Sequence, residues 1–133
     1  DVSPPLAFTV PVGTKEIALV CDDPDAPRAE PWVHWVLYAI PPEVASVPEN
    51  IPKQLKTLTT PFKACQGVND FGRVGYGGPM PPRGHGVHHY HFKVYALDAP
   101  LNLFCGATKS RLLAAMKGHI LAEGRLIGTY ERK

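Results

Sequence analysis

The 133-residue chain lacks the features that mark several large functional classes. It has no apolar run close to the roughly 20 residues that a membrane-spanning helix requires. Its 14 Lys and Arg residues against 12 Asp and Glu residues leave a net charge of +2, and the basic residues are scattered, so nothing indicates a nucleic-acid surface. GxSxG, HExxH and glycine-rich phosphate-loop motifs are absent. The sequence therefore predicts no integral membrane segment, no nucleic-acid partner and no cofactor.

Cysteine is also scarce, with Cys21, Cys65 and Cys105 as the three in the chain. An odd number at wide spacing, without a CxxC pair, is typical neither of a disulfide framework nor of a zinc knuckle. We therefore expect reduced thiols in a cytoplasmic protein. No signal peptide opens the sequence, although a mature secreted or periplasmic form would look the same.

Glycine and proline, by contrast, are abundant, at 12 and 15 residues. Together they indicate many or long loops, concentrated over residues 41–87. The recurrence of apolar and aromatic residues through that region predicts an ordered loop region. The length fits one domain, residues 1–133, with a core of its own.

Hydrophobic patterning predicts four strands, at residues 16–22, 32–40, 88–97 and 125–131. It also predicts one helix, at residues 111–122. Thr108 or Ser110 is the expected N-cap of the helix, and Gly124 the glycine just past its end. The apolar stripe of the helix is Leu112, Leu113, Met116 and Ile120, at the spacing of a core-facing side.

Polar residues fall on core-type faces near one end of three of these strands. Because alternate residues of a strand share a face, Asp23 is predicted to share a face with Ile17, Leu19 and Cys21. By the same alternation, His34 shares a face with Trp32, Val36 and Tyr38. On the third strand, His88 and Tyr90 share a face with Phe92 and Val94. If the strands are antiparallel neighbours, these ends meet at one edge. Buried ionisable groups require partners, so Asp23, His34, His88 and Tyr90 are predicted to line one pocket.

Two proline-containing loops are expected to form the rim of this pocket, DDPDAP from Asp22 to Pro27 and GGPMPP from Gly77 to Pro82, with Trp32 as an aromatic wall. The histidine-rich segment also invites a zinc interpretation. His88 and His91 point to opposite faces of a regular strand, however, and His89 with His91 has no evident third ligand. A small-anion pocket is the stronger hypothesis.

The motifs DPDAP at 23–27, WVHW at 32–35 and GYGGPMPPRGHGVHHY at 75–90 resemble the phosphatidylethanolamine-binding protein family. SPPL at 3–6, GVNDFG at 67–72 and the tail at 118–132 are similar to its prokaryotic, Raf-kinase-inhibitor-like branch. The resemblance covers nearly the whole chain in the same order.

The resemblance implies a mainly β fold, with a central antiparallel Greek-key sheet packed on a smaller sheet and a C-terminal helix. It also implies a pocket for phosphate, acetate or a phosphoethanolamine head group, whose residues match Asp23, Asp25, Pro27, Trp32, His34, Pro81, Pro82, His88 and Tyr90. Three departures stand out: His89 replaces the family's usual arginine, Met80 replaces a frequent cysteine, and the family's first strand is not found before SPPL. An exposed sheet edge and a homodimer would follow from the last of these.

Three functions fit this pattern. The first is a non-enzymatic protein that binds small anions or phospholipid head groups, with a role in regulating a kinase or a protease through that surface. The second is a small hydrolase in which an Asp–His pair activates water. The third is a protein-interaction module whose pocket is vestigial, with a partner that the sequence does not identify. The absence of a positioned nucleophile favours the first, and makes enzymatic activity the weaker hypothesis.

Overall fold

The computed structural model describes residues 2–26, 29–78, 84 and 86–131, with backbone alone for 129–131. It confirms a mainly β fold with two antiparallel sheets and one short helix. The elements in chain order are β1 (Leu6–Ala7), β2 (Glu16–Asp23), β3 (Trp32–Ile40), β4 (Ser46–Val47), β5 (Thr57–Leu58), β6 (Ala64–Gln66), β7 (Val87–Leu97), α1 (Lys109–Met116) and β8 (Ile120–Glu131).

The larger sheet has the strand order β5-β6-β3-β2-β7-β8, and every neighbouring pair is antiparallel. The predicted strand at 32–40 is found with those bounds, and those at 16–22 and 88–97 are each one residue longer. β2 lies between β3 and β7, so the end of β2 meets the starts of both neighbours. Asp23 is opposite Trp32 on β3, and Asp22 is opposite His91 on β7.

Two hydrophobic clusters cover the two faces of the central strands. One face packs under the two-stranded sheet β1-β4 through Ile17, Leu19, Cys21, Trp35 and Leu37. The opposite face packs under α1 through residues such as Ala18, Val20, Val36, Leu112 and Met116. Because both faces are covered, β2 and β3 are buried along almost their whole length, as the largely apolar sequence of β3 predicts.

A β-bulge in β3 interrupts this alternation at His34. Cys21 is opposite Trp35, whereas the next residue, Asp22, is opposite Val33, so His34 is the extra residue of β3. The predicted row of Trp32, His34, Val36 and Tyr38 is therefore wrong: Val36 and Tyr38 lie on the α1 side, whereas His34 contacts Tyr90 of the other side. Sequence periodicity cannot show an inserted residue that is neither Gly nor Pro.

The helix is shorter than predicted, because α1 ends at Met116 rather than at residue 122. Gly118 adopts φ of 83°, a left-handed conformation that terminates helices, and β8 begins two residues later. Gly124 is therefore inside a strand. The N-cap is Thr108, one of the two expected residues, whose hydroxyl accepts a hydrogen bond from the backbone N–H of Arg111 at 3.3 Å. Leu112 and Met116 are buried, whereas Leu113 and Ile120 are largely exposed.

The expectation of three reduced thiols is wrong. Cys65 of β6 and Cys105 of the loop before α1 form a disulfide across 40 residues of sequence, with 4.9 Å between their Cα atoms, and Cys21 is a buried free thiol. Tertiary folding brings the pair together, so spacing in the sequence does not reveal it. Because disulfides are rare in the cytosol of mesophiles, the cytoplasmic expectation loses the support that reduced thiols gave it.

The described residues of the region 41–87 form β4, β5 and β6 and otherwise run as loop up to the start of β7. Its described residues include buried side chains such as Ile51, Leu58 and Tyr76, in agreement with the predicted order. Within the described part of the chain, no helix is long and apolar enough to cross a membrane.

Candidate functional site

A buried carboxylate–imidazole pair lies where β2 ends and β7 begins. Nδ1 of His88 is 2.6 Å from Oδ2 of Asp23, and the two side chains are 1% and 4% exposed. A carboxylate accepts, so Nδ1 carries the proton in this hydrogen bond. The pair fixes the orientation of the imidazole, and each side chain offsets the cost of burying the other.

The turn after β2 is held by a second Asp–His pair at the surface. Asp23 Oδ1 accepts a hydrogen bond from the backbone N–H of Asp25, which orders the turn. Asp25 Oδ2 in turn accepts from the backbone N–H of His89 at 2.8 Å and lies 2.6 Å from its Nδ1. These hydrogen bonds from His89 lower the pKa of the Asp25 carboxyl. The consecutive histidines His88 and His89 of β7 thus bind the two aspartates of the same turn from opposite faces of the strand.

His34 is the second buried imidazole, and a loop carbonyl holds it. Its Nδ1 donates to the backbone oxygen of Gly77 at 2.7 Å, and the backbone N–H of Gly77 donates to the oxygen of His34 at 2.9 Å. β6 pairs with β3 only at Leu37 and Tyr38, so Gly77 supplies the partner of this backbone oxygen. Burial lowers the pKa of His34 below its ordinary value of 6.5, opposed by the hydrogen bond to Gly77. The lowered pKa favours the neutral form of His34.

Aromatic rings surround this imidazole. The ring of Tyr90 lies 4.9 Å from that of His34, edge to face, and Phe71 lies 5.6 Å from His34 and 5.2 Å from Trp32. A Cβ atom on Gly77 would approach the Phe71 ring to 2.6 Å, so glycine at this position lets the ring pack against the loop. Trp32, His34, Phe71 and Tyr90 form one aromatic wall beside the buried pair.

The loop at residues 67–78 is hydrogen-bonded to the edge of β3 that faces away from β2, which explains the position of Phe71. Asp70 accepts from the backbone N–H of Val33 at 2.7 Å, and its own N–H donates to the oxygen of Val33 at 2.8 Å. Asn69 accepts from the N–H groups of Phe71 and Arg73 and donates to the oxygen of Gly75. Asn and Asp are typical turn formers. Asn69 and Asp70 are therefore the sequence signal that could have indicated an ordered turn at Phe71, which the alternation of side chains along strands does not reveal.

On the opposite face of the sheet, Asp22 has a different role from its neighbour Asp23. Its carboxylate is buried and lies 2.7 Å from Nζ of Lys109 and 3.4 Å from Nζ of Lys93. Lys109 is the first residue of α1, so Asp22 ties the helix to the end of β2. Adjacent aspartates thus hold the helix on one face and the buried histidine on the other.

The structure brings together Asp23, His34, His88 and Tyr90, and it places Trp32 beside them through Phe71. Asp25 lies in the turn after β2 and pairs with His89. The remaining predicted rim residues, Pro27, Pro81 and Pro82, lie outside the described residues. His89 faces away from His88, as the alternation of β7 predicts, and the described residues contain no group of three or more His, Cys, Asp or Glu that could hold a metal ion.

Chemically, the site offers two oriented imidazoles, one buried carboxylate and a phenol within an aromatic wall. Because both Nδ1 protons are already donated within the protein, each imidazole can donate to an oxygen of a small anion through Nε2 only when it is doubly protonated, and can otherwise accept from a protonated phosphate oxygen. A carboxylate-bound imidazole also has the geometry of a general base.

Comparisons with known proteins agree with this architecture. The family model for phosphatidylethanolamine-binding protein matches residues 1–131. A UPF0098 protein of Pyrococcus abyssi is 54% identical over 134 residues, which covers 100% of this chain and 74% of the relative.

Two crystal structures share the fold. The phosphatidylethanolamine-binding protein homologue CT736 of Chlamydia trachomatis superposes with a TM-score of 0.86 at 39% identity, covering 99% of this chain and 82% of the homologue. Escherichia coli YbcL, described as a new member of the mammalian PEBP family, superposes with a TM-score of 0.89 at 35% identity, covering 99% of this chain and 81% of YbcL. On the family match, the relative and the shared fold, this chain belongs to the phosphatidylethanolamine-binding protein family.

Proposed function

We propose that the protein binds a small phosphate-type anion, either free or as the phosphoethanolamine head group of a lipid, at the site formed by Asp23, His34, His88 and Tyr90. The observation that carries the proposal is the buried Asp23–His88 hydrogen bond together with a second buried imidazole, His34, which contacts Tyr90 of the same strand as His88 and is near enough to Asp23 for the carboxylate to oppose the lowering of its pKa. A fold that needed only stability would be served as well by apolar residues at these positions. Family membership supports the same class of ligand.

The arrangement favours binding over turnover. Asp23 fixes the His88 ring and Gly77 fixes the His34 ring, so neither imidazole loses much side-chain freedom when a ligand enters. The aromatic wall excludes water on one side and strengthens hydrogen bonds to a bound anion. Asp23, Asp25, Trp32, His34, His88 and Tyr90 are the described members of the proposed ligand-binding set.

Titration with inorganic phosphate and with phosphoethanolamine tests this proposal. We expect the imidazole resonances of His34 and His88 to shift in a saturable way, and those of the surface residue His119 to stay in place. His34→Gln is expected to weaken phosphate binding about tenfold, the usual loss for one hydrogen bond to a charged group. His119→Gln is the matched control. Unchanged His34 and His88 resonances at saturating concentrations of both ligands would contradict the site.

The affinity for anions should depend on pH through His34. Burial lowers the pKa of the free imidazole, whereas a bound anion favours its protonated form. Binding therefore takes up a proton, and the affinity rises as the pH falls from 7 toward the pKa of His34. Sulfate is a suitable probe because its charge is constant over this range. Calorimetry in buffers of different ionisation enthalpy should show the proton uptake, and His34→Gln should abolish it.

Without ligand, the same pKa shift affects folding in the opposite direction. The folded state binds the proton less well than the unfolded chain, so the stabilisation from neutral His34 is present above pH 6.5 and is lost as the pH falls below that value. Sulfate should offset this loss in wild type but not in His34→Gln.

The hydrolase alternative rests on the geometry of the Asp23–His88 pair, which resembles an oriented general base. It requires turnover of a phosphate or carboxylate ester such as p-nitrophenyl phosphate or p-nitrophenyl acetate. Turnover that disappears in His88→Ala would support catalysis, whereas equal rates in wild type and variant would exclude it.

A further inference from the structure

The protein backbone fixes which nitrogen of His34 carries the proton. Nδ1 of His34 lies 2.7 Å from the backbone oxygen of Gly77, and a carbonyl oxygen can only accept a hydrogen bond. In a neutral ring, Nδ1 therefore holds the proton and Nε2 holds a lone pair. No described residue donates a hydrogen bond to Nε2, and Nε2 is not among their fully buried unpaired polar atoms. A neutral His34 thus presents an acceptor to a ligand, and not a donor.

Burial favours this neutral form. The side chain of His34 is almost fully enclosed, at 3% exposure, and this burial lowers its pKa below 6.5. The backbones of Gly77 and Gly78 and the carboxylates of β2 oppose the shift without cancelling it. The titratable groups that the neighbouring strands bring toward the ring are Asp22 and Asp23 from β2, and Tyr90 and His88 from β7. A ligand that needs a donor from His34 must therefore first have a proton added to the ring.

In the described part of the site, a carboxylate rather than a lysine is the charged group beside the imidazoles. Oδ2 of Asp23 lies 2.6 Å from Nδ1 of His88 in the interior. The lysine on the same strand as His88, Lys93, is directed to the opposite face, where its Nζ lies 3.4 Å from Asp22. An anion without a proton of its own would meet a lone pair of His34 and the charge of Asp23, and both repel it.

Candidate anions differ in whether they bring a proton to this site. Orthophosphate keeps at least one P–OH group at neutral pH, so it can donate to Nε2 while its other oxygens accept. A phosphate monoester loses its last acidic proton with a pKa of about 6. The phosphodiester of a lipid head group has no P–OH group, and sulfate has no proton at this pH. Orthophosphate is therefore the anion of this set that supplies the missing donor without proton uptake by the protein.

We infer that His34 makes the candidate site selective for orthophosphate, whose P–OH group donates to Nε2, over sulfate and over the phosphodiester of a lipid head group. The inference rests on the proposed anion site and names free phosphate, rather than lipid, as its ligand. A site that pairs with a hydroxyl of its ligand rejects analogues that lack it, because the buried polar atom of the protein is then left unpaired. Protonation of His34 removes the selectivity, since an imidazolium donates through Nε2 to all of these anions.

Sulfate and orthophosphate are a matched pair for testing this selectivity. At mildly alkaline pH both are mainly tetrahedral dianions, and they differ by one proton. Calorimetry in a buffer free of competing anions should show orthophosphate bound at least about tenfold more tightly than sulfate, the loss expected for one hydrogen bond to a charged group. Glycerophosphoethanolamine, which carries the diester of the lipid head group, should be weaker than orthophosphate by a similar factor. As the pH falls toward the pKa of His34, the affinity for sulfate should approach that for orthophosphate.

His34→Gln tests the residue, because an amide side chain both donates and accepts. The variant should bind sulfate and orthophosphate about equally, whereas the surface variant His119→Gln should keep the wild-type ratio, and circular dichroism verifies that each is folded. A long-range ¹H–¹⁵N spectrum of the wild-type protein should show the His34 proton on Nδ1. A neutral ring protonated on Nε2, or a wild-type ratio retained in His34→Gln, would overturn the inference. Equal affinities in wild type, with His34 and His88 resonances that shift, would overturn the selectivity alone, whereas resonances that stay in place with every anion would contradict the anion site itself.

Discussion

Replacement of Asp23 by Ala is expected to lower the free energy of unfolding by about 3 kcal/mol and to abolish anion binding. The side chain of His88 is 1% exposed, and its Nδ1 proton is donated to Asp23. Removal of the carboxylate leaves a buried donor unsatisfied and releases the ring from its fixed orientation. Urea denaturation followed by circular dichroism measures the first effect, and phosphate titration the second.

The chain supplies its own matched control in Asp25→Ala. Asp25 and His89 are also 2.6 Å apart, but their side chains are 40% and 50% exposed. An exposed side-chain pair of this kind contributes at most about 0–1 kcal/mol, so this variant should remain close to wild type in stability. The comparison isolates burial, since the residue types and the distance are the same. Equal losses in the two variants would show that Asp23 stabilises the turn rather than the buried histidine.

Removal of the disulfide by Cys105→Ser is expected to destabilise the protein by about 3–4 kcal/mol. The reason is that a cross-link between residues this far apart in sequence lowers the conformational entropy of the unfolded chain. The cross-link spans 40 residues and joins β6 to the loop before α1. The same loop is held by the hydroxyl of Tyr38, which donates to the oxygen of Phe104 and accepts from the N–H of Ala107. The folded position of the loop therefore persists in the variant, and the loss appears as a lower urea midpoint.

Thiol counting distinguishes this effect from a packing defect. In denaturant, wild type should release one reactive thiol, that of Cys21, and three after reduction. Reductant should lower the urea midpoint of wild type to that of Cys105→Ser and leave the variant unchanged. Three reactive thiols in unreduced, denatured wild type would show that the disulfide does not form.

Local periodicity was sufficient to predict the three central strands, because each has a continuous apolar or alternating pattern with turn residues at both ends. β7 shows this most clearly: His88 and Tyr90 face the core, whereas His89 lies outside with Asp25. Antiparallel neighbours then bring Asp23 to His88. Most of the candidate site was predictable by this reasoning.

What periodicity could not predict depends on long-range contacts or on a single backbone angle. The predicted helix continued to residue 122 because its apolar stripe includes Ile120, but the left-handed Gly118 ends it first. The Cys65–Cys105 disulfide and the place of Phe71 beside His34 depend on how loops pack against β3. The regular alternation that predicts a place for His34 in the candidate site is interrupted by the bulge, so its contact with Tyr90 depends on the bulge and not on the alternation.

The bulge in β3 makes the site separable from the fold. Without His34, Val33 and Trp35 would be consecutive residues of a regular strand, with Val33 on the α1 side and Trp35 on the other, where they already lie. The imidazole is thus an insertion of one residue between two neighbouring core residues of β3. Deletion of this one residue would preserve the hydrophobic core and remove one of the two buried imidazoles. Chain length, as well as residue identity, therefore encodes the candidate function.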